Sequence, residues 1–293
     1  MRVAVFGSVH KKGLARACAE VLDVLGRHRA EVALERGVSR LLADSGVAVP
    51  PDAETLDKDS GWTADLALSM GGDGTFLQTA QAVGRRGIPI LGINLGHLGF
   101  MVDVRGDEIS AALDDVLENG YRIERRGLLH LERENGGERS VMGDALNEVA
   151  ILKLDTSSMV KVHATVRGEY LCTYRADGLL VSTPTGSTGY ALSVGAPILV
   201  PENHSLILSP VAPHTLNQRP VVIPDDWDMR FDVESRTGSF LVSLDGRSHV
   251  MERGTRLFVS KADYTVALAR RKGHTYFETL RDKLMWGKDT REN

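Results

Sequence analysis

The sequence predicts an α/β N-terminal domain with a Rossmann-like parallel sheet, followed by a β-rich, sandwich-like C-terminal domain. In residues 1–125, strand-like apolar segments alternate with segments of helical periodicity, which is typical of a parallel sheet with crossover helices. In residues 126–270, short alternating segments follow one another with Gly and Pro between them, as in all-β sandwiches. Residues 271–293 recover helical spacing, and we expect a helix there that packs back on the N-terminal domain.

The elements of the N-terminal domain follow from local patterns. Segment 2–6 is β-branched and apolar, and the apolar residues of segment 14–25 recur with the three-and-four spacing of an amphipathic helix. A polar stretch with two adjacent prolines predicts a loop over 47–60. The remaining predicted elements are strands over 31–35, 65–70 and 88–93, and helices ending at Leu42 and covering 76–83 and 109–117.

The C-terminal half consists mainly of short alternating segments. Each has the period of two that is typical of a half-buried strand. The clearest are 128–133, 160–166, 169–174, 229–233, 240–244 and 256–259, and a helix is predicted over 275–285.

Composition restricts the class of protein. The chain has 293 residues, 42% of them apolar, and a formal net charge of −4, so it can bury a full core and lacks the basic character of a nucleic-acid-binding domain. Its two cysteines, Cys18 and Cys172, form no Cys-x-x-Cys motif, which argues against a zinc site or a disulfide framework. No apolar run approaches the ~18 residues of a membrane span, and we expect a cytoplasmic protein without a membrane partner.

The turn Gly71-Gly72-Asp73-Gly74-Thr75 lies between a predicted buried strand and a predicted helix. The carboxyl end of a parallel strand is where ligands bind in such sheets, and a helix N-terminus suits a phosphate. A tight turn without a ligand is the alternative. A second glycine-rich loop, 94–100, follows the next strand and should lie on the same rim.

Three polar features interrupt the β-rich half. Asn147 and Glu148 stand within an apolar context, where they either bond to nearby backbone or face a ligand. Segment 175–193 runs from a strand into a loop dense in Thr, Ser and Gly, which suits a polar, sugar-bearing ligand. We interpret segment 244–246 as a hairpin turn. We find no Ser–His pairing and no metal-ligand spacing, so any metal, such as Mg²⁺, should arrive with a phosphate.

In order and spacing, these motifs resemble those of the NAD kinases: the turn 71–75, the pair 147–148 and the segment 177–191, with loop 94–100 as the second glycine loop. The resemblance implies a transferase that moves the γ-phosphate of ATP to the 2′-hydroxyl of the adenosine ribose of NAD, giving NADP. It also implies the two-domain fold, Mg²⁺ or another divalent cation carried with ATP, and a homodimer or homotetramer. Diacylglycerol-type lipid kinases share the first loop and remain an alternative, as does a non-catalytic nucleotide-binding regulator.

The resemblance also implies roles for individual residues. Asp73 matches the proton acceptor, and Gly71, Gly72 and Gly74 match the loop that approaches the phosphates. The pair 147–148 matches the group that holds the adenosine half of NAD, with a further dinucleotide contact at Asp177 from a neighbouring subunit. The implied nucleotide-wrapping residues are Thr188, Gly189, Tyr190, Ala191, Leu192 and Ser193, with a later contact at Ala212. No protein residue is implied as a metal ligand.

Two further positions bear on selectivity. Arg175 resembles the cation of NAD-selective members, whereas members that also accept NADH carry Gly or a small polar residue there. Many bacterial members have Gln after the Asp-Gly pair, but this chain has Arg247. The sequence therefore leaves open whether residue 247 contacts the dinucleotide.

Overall fold

The chain folds into two compact units in the computed structural model, which describes residues 1–57, 61–96, 99–155, 158–273 and 275–287. The first unit comprises Met1–Arg125 and Val266–Asn293, and the second comprises Arg126–Thr265. We expected residues 266–270 in the β-rich domain. They belong to the first unit because Leu268 pairs with Ile90 of that unit's sheet.

The first unit is built on a parallel sheet, as predicted. Its strands are β1 (Arg2–Gly7), β2 (Glu31–Glu35), β3 (Glu54–Leu56), β4 (Leu66–Gly71), β5 (Ile90–Asn94) and β6 (Val104–Arg105). Its helices in this part of the chain are α1 (Leu14–Arg27), α2 (Arg36–Asp44), α3 (Asp73–Val83) and α4 (Ile109–Asn119). The order β3-β2-β1-β4-β5 reverses direction between β1 and β4, and ligands bind beside such a point.

Burial explains why these segments form these elements. Every residue of β4 and β5 is buried, as expected for central strands of a parallel sheet covered on both faces. The apolar stripe of α1, including Leu14, Val21 and Leu25, packs in one core cluster with residues of β1, α2 and α4. The sheet therefore holds the carboxyl ends of β4 and β5 in fixed positions.

The structure differs from the prediction at three places in this unit. Strand β3 lies inside the predicted loop 47–60, because its backbone pairs with β2 from Ala33↔Glu54 onward; residues 58–60 of that loop lie outside the described residues. The two-residue strand β6 was not predicted, and it forms by pairing with β5. Helix α3 starts at Asp73 rather than at residue 76, so the glycine-rich turn is shorter than expected and Asp73 belongs to the first helical turn.

The second unit is a β-sandwich. Its strands are β7 (Arg122–Asn135), β8 (Glu138–Ala145), β9 (Glu148–Lys153), β10 (Val160–Val166), β11 (Glu169–Ala176), β12 (Gly178–Ser182), β13 (Ser205–Val211), β14 (Val221–Pro224), β15 (Met229–Ser235), β16 (Ser239–Leu244), β17 (Arg247–Glu252) and β18 (Arg256–Arg270), with the ends of β7 and β18 in the first unit. One antiparallel sheet has the order β14-β13-β12-β9-β16-β17, and β11-β10-β15-β18 run antiparallel in another.

Both sheets contribute to one core, which confirms the predicted sandwich. Strand β10 alternates between buried and half-buried residues along its whole length. Its buried side chains share a cluster with Phe231 of β15 and with Val149, Ile151 and Val181 of the other sheet. The core thus lies between the two sheets.

Several elements here also differ in extent from the prediction. Segments 128–133 and 256–259 are parts of strands of 14 and 15 residues, because pairing continues beyond the clearly alternating stretch. The predicted loop after β12 contains a 3₁₀ turn (Thr185–Thr188) and α5 (Tyr190–Ser193). The tail helix is α6 (Tyr276–Leu284), whose N-terminus is closed by a capping box between Thr275 and Glu278. Among the described residues, no helix is long and apolar enough to span a bilayer.

Candidate active site

Asp73 is held in place by the backbone of the second glycine loop. Its Oδ2 accepts the N–H of Phe100 at 2.9 Å, and its Oδ1 accepts the N–H of Met101 at 3.0 Å. The side chain is half-buried at the point where β4 passes into α3. Because each carboxylate oxygen keeps a further lone pair, the group is oriented and can still accept a proton or a hydrogen bond.

The glycines around Asp73 are needed for different physical reasons. A Cβ on Gly71 would lie 2.1 Å from Thr75 Oγ1, so packing within the turn by itself requires a glycine at this buried position. An added Cβ on Gly72 or Gly74 would meet no atom of the described residues within 4 Å. The space beside Asp73 is therefore open at Gly72 and Gly74, which is where a phosphate could approach the backbone.

Loop 94–100 reaches Asp73 because one of its residues is a glycine. A Cβ on Gly99 would lie 2.1 Å from Asp73 Oδ1, so no other residue fits there without displacing the carboxylate. Asn94 shapes the start of the loop by accepting the N–H of Gly96 and donating to its carbonyl. His97 and Leu98 lie outside the described residues. The prediction that this loop lies on the same rim as Asp73 is confirmed by the two hydrogen bonds to Asp73.

In the second unit, Asn147 and Glu148 present buried polar atoms without a protein partner. Within the described residues, Asn147 Oδ1 and Glu148 Oε2 accept no hydrogen bond. Asn147 precedes β9 and Glu148 is its first residue, so the pair lies at a strand end rather than within a strand. The alternative that both side chains simply satisfy nearby backbone is therefore wrong for these two atoms. Buried polar groups normally have partners, which indicates a ligand site.

The backbone of this pair is positioned by Asp245. The carboxylate of Asp245 accepts the N–H groups of Leu146, Asn147 and Glu148 at 2.6, 2.8 and 3.1 Å. Asp245 and Gly246 form the two-residue hairpin turn that we predicted, both with positive φ. The sequence showed the turn, but it carried no signal for this second role of Asp245, which lies 97–99 residues from the groups it binds.

Burial changes the protonation of both carboxyl groups. Burial, and then the negative charge of Asp245, raises the pKa of Glu148 from 4.5 to about 7. Burial also raises the pKa of Asp245, although its three backbone donors act in the opposite direction. A carboxyl with a pKa near neutrality in a buried site is characteristic of functional positions.

Segment 183–193 packs directly against the pair 147–148. A Cβ on Gly186 would lie 2.1 Å from the carbonyl oxygen of Asn147, and one on Gly189 would lie 3.2 Å from Glu148 Oε2. The absence of a Cβ on Gly189 thus leaves room beside the unpartnered Oε2 of Glu148. Gly186 allows the close approach to the backbone of Asn147, a packing role that we did not predict from the sequence.

The hydroxyl groups of this segment are largely used within the protein, contrary to our expectation that they would face a ligand. Thr183 Oγ1 donates to Leu146 O, Ser187 Oγ to Pro184 O, and Thr188 Oγ1 to Thr185 O, at 2.6, 2.6 and 3.2 Å. The bonds of Ser187 and Thr188 stabilise the 3₁₀ turn within the predicted loop, and the bond of Thr183 joins the segment to Leu146.

The residues that we predicted to wrap the nucleotide differ in their exposure to solvent. Tyr190 and Ser193 are exposed, and Thr188, Gly189 and Leu192 are partly so. The side chain of Ala191 is fully buried in a small cluster with Ala196 and Ile207. Ala191 therefore anchors the short helix and offers no side-chain surface to a ligand.

Asp177 and Ala212 lie near the end of β9 that is opposite Glu148, and Arg175, on β11, precedes Asp177. The carbonyl of Asp177 accepts the N–H of Lys153, the last residue of β9, and its carboxylate pairs with Lys153 Nζ at 2.9 Å. Glu148 begins β9, and five strand steps at roughly 3.3 Å place it about 17 Å from Lys153. The structure does not bring this group together with Asn147 and Glu148 within one chain.

Ala212 and Arg175 lie close to Asp177. Ala212 has a φ of +44°, uncommon for a residue with a Cβ, and follows Val211, whose carbonyl binds the N–H of Asp177. Arg175 is exposed, and its carbonyl accepts the N–H of His214. Arg247 is not in this group: its guanidinium donates to the carbonyls of Asp144 and Leu244 at 2.6 and 3.2 Å.

Comparison with known proteins covers both units. Residues 20–121 match the family model described as ATP-NAD kinase N-terminal domain, and residues 146–270 match ATP-NAD kinase C-terminal domain. The chain is 44% identical to an NAD kinase of Bacteroides fragilis over 291 residues, covering 99% of this chain and 100% of the relative. It is 40% identical to an NAD kinase of Porphyromonas gingivalis over 289 residues, covering 98% of each.

Two solved structures share the fold. Yeast NADH kinase complexed with NADH superposes with a TM-score of 0.91 at 20% identity, covering 100% of this chain and 89% of that one. An NAD kinase from Archaeoglobus fulgidus in complex with ATP has a TM-score of 0.73 at 24% identity, covering 97% and 99%. At these identities the two neighbours are evidence for the fold alone.

Proposed function

Because the chain belongs to the NAD kinase family, we propose that it transfers the γ-phosphate of ATP to the 2′-hydroxyl of the adenosine ribose of NAD, with Asp73 as proton acceptor. The observation that carries this proposal is the carboxylate of Asp73, oriented by the N–H groups of Phe100 and Met101 beside the open backbone of Gly72 and Gly74. A base at such a point can receive a hydroxyl proton while the phosphate approaches the helix N-terminus.

The phosphoryl transfer requires a single proton acceptor. The ribose oxygen forms a bond to the γ-phosphorus, the bond from that phosphorus to the bridging oxygen of ADP breaks, and ADP leaves with the electron pair. The hydroxyl proton moves to the carboxylate of Asp73. Phosphoryl transfer depends mainly on positioning and charge neutralisation, so the fixed orientation of Asp73 matters as much as its basicity.

Mg²⁺ fits this site as an ion carried by ATP. Among the described residues, no group of three or more His, Cys, Asp or Glu side chains is arranged to hold a metal. Magnesium commonly binds through substrate phosphates, so the ion would be carried by ATP and Asp73 would keep its role as proton acceptor. When bound, the ion would neutralise charge on the β- and γ-phosphates.

NAD binding is assigned to the second unit. The unpartnered oxygens Asn147 Oδ1 and Glu148 Oε2 would accept hydrogen bonds from the adenosine half of NAD, next to the space at Gly189. Tyr190 and Ser193 are exposed residues of segment 183–193 and would cover the nucleotide. Asp245 would act indirectly, by holding the backbone of the pair.

We also propose a homo-oligomer in which Asp177 and Ala212 serve the site of a neighbouring copy. Their separation of about 17 Å from Glu148 along β9 supports this assignment. Sedimentation of the purified protein should give a dimer or tetramer, and a monomer that retains full activity would contradict it. The two free cysteines, one of them buried, are consistent with a cytoplasmic location.

Selectivity for NAD over NADH is proposed to depend on Arg175. Its exposed side chain at the end of β11 is free to meet a bound dinucleotide, and the family pattern associates a cation here with NAD-selective members. Arg175→Gly should raise the ratio of kcat/KM for NADH to that for NAD. An unchanged ratio, or equal use of both by the wild type, would remove this role.

The function is tested by following the transferred phosphate. Purified protein with Mg²⁺, NAD and ATP labelled on the γ-phosphate should yield a labelled product that an NADP-specific dehydrogenase reduces. Labelled product that this dehydrogenase does not accept would contradict the 2′ position. Phosphorylation of diacylglycerol in preference to NAD would favour the lipid-kinase alternative.

A further inference from the structure

Arg270 contacts the backbone that orients Asp73. It is the last residue of β18, it is only 4% exposed, and it belongs to the first unit. Its Nη2 donates to the carbonyl oxygen of Phe100 at 3.0 Å, and its Nη1 donates to that of Met101 at 3.4 Å. The N–H groups of these same two residues are the donors to Asp73.

One peptide group connects the two side chains directly. The carbonyl of Phe100 and the N–H of Met101 belong to the same peptide unit, and in a trans peptide they point in opposite directions. Arg270 binds the carbonyl and Asp73 Oδ1 accepts the N–H. A cation at the carbonyl polarises the peptide and strengthens the hydrogen bond on its other side.

The guanidinium is itself fixed by two carboxylates. Asp103 Oδ1 lies 3.4 Å from Nη1, and Glu124 Oε2 lies 3.1 Å from Nε. The side chains of Arg270 and Asp103 are 5% and 2% exposed, so the ion pair is shielded from water. Within the described residues the carboxylate oxygens of Asp103 have no hydrogen bond, which leaves the ion pair with Arg270 as the contact that balances its charge.

We propose that Arg270 is a positioning residue for Asp73. It holds the peptides of Phe100 and Met101 so that their N–H groups keep the carboxylate in the orientation that accepts the ribose proton. This inference rests on the proposed function, because it assigns Arg270 to the same proton acceptor. It predicts an effect on turnover rather than on binding, since Arg270 acts through the loop backbone.

The test is a double-mutant cycle between Arg270→Lys and Asp73→Asn. Lysine keeps the charge but cannot make the forked contacts of a guanidinium. We expect Arg270→Lys to lower kcat by about 10- to 100-fold, by analogy with the outer partners that orient metal ligands, while the KM values for NAD and ATP change little. In the Asp73→Asn background the same substitution should lower kcat by less than about twofold, because the group it positions is gone.

A second measurement does not depend on turnover. Hydrogen exchange at the amides of residues 100 and 101 should accelerate in Arg270→Lys, while exchange in α1 stays unchanged. Arg271→Gln is the matched control, because the neighbouring Arg271 pairs with Glu108 at 3.1 Å in a more exposed position. It should leave both kcat and exchange at 100–101 as in the wild type.

A double variant separates positioning from the loss of a buried charge pair. Arg270→Gln with Asp103→Asn removes both charges, and we expect it to fold and to show the same fall in kcat. Equal losses of kcat with and without Asp73, or unchanged exchange at 100–101, would overturn the positioning role. The proposed function fails on a different result, namely a wild-type protein that makes no NADP.

Discussion

The buried carboxyl of Glu148 makes a quantitative prediction for stability. Burial and the charge of Asp245 raise its pKa from 4.5 to about 7, which means that the folded protein disfavours the ionised form. Between these values the folded state holds a proton that the unfolded state has released. The free energy of unfolding therefore falls as the pH rises through this window. Glu148→Gln removes the titrating group at nearly constant size, so the variant should lose this dependence.

The magnitude follows from the size of the shift. A difference of about 2.5 pKa units corresponds to about 3 kcal/mol, of which about 2.5 kcal/mol falls between pH 5 and pH 8. Relative to the wild type, the variant should therefore gain about 2.5 kcal/mol over this range. Its exposed counterpart Glu169→Gln, at the start of β11, should follow the wild-type profile.

Urea unfolding at pH 5 and pH 8, without nucleotide, measures this difference. Parallel profiles for the wild type and Glu148→Gln would refute the reasoning, because they would show that Glu148 titrates alike in the folded and unfolded states. The same ionisation should govern binding: NAD affinity should rise as the pH passes through about 7, since only the carboxylate offers both oxygens as acceptors. The Gln variant should bind NAD independently of pH in this range.

Two further substitutions test the geometry around each site. Gly99→Ala would place a Cβ 2.1 Å from Asp73 Oδ1, so kcat should fall at least about tenfold, whereas Gly26→Ala on α1, where an added Cβ meets no described atom within 4 Å, should not change it. A Gly99→Ala enzyme with wild-type kcat would contradict the close approach. Asp245→Asn leaves at least one of three backbone N–H groups without an acceptor, which should lower the free energy of unfolding by about 1–3 kcal/mol and raise the KM for NAD. Unchanged urea unfolding would contradict its structural role.

The fold could be predicted because its signals are local. The helical spacing of α1 and the mainly apolar strands β4 and β5 each identify their structure from a short local stretch. The short strands β3 and β6 lacked such a signal, because they form only by pairing with a neighbour. The ends of β7 and β18 were missed for the same reason, since pairing continues where alternation is weak.

The sequence predicted side chains of the site, but not the contacts that hold them in place. Asp73, Asn147 and Glu148 were singled out because a carboxylate among glycines and a polar pair among apolar residues are unusual in sequence. What holds them could not be read from the sequence. Asp73 is oriented by backbone N–H groups 27 and 28 residues away, and backbone groups look alike at every position.

For the glycines, too, the sequence does not show which contact requires the residue. We predicted Gly71 as a residue of the phosphate loop from its motif, and the structure adds that its lack of a Cβ is needed for packing against Thr75. We predicted Gly99 only as a residue of loop 94–100, and its absent Cβ makes room for the carboxylate of Asp73. A sequence shows that a residue is glycine, but only the neighbouring atoms show which contact requires it.

The most direct test of the central claim compares Asp73→Asn with the wild type for NADP formation and for NAD binding. The control is Asp44→Asn, at the exposed end of α2. The account predicts that Asp73→Asn lowers kcat by ~10²–10⁴-fold, the contribution of a positioned base, while the Kd for NAD stays within about twofold and Asp44→Asn behaves as the wild type. Wild-type turnover in Asp73→Asn, or an equal loss of binding and turnover, would contradict the assignment of Asp73 as the proton acceptor.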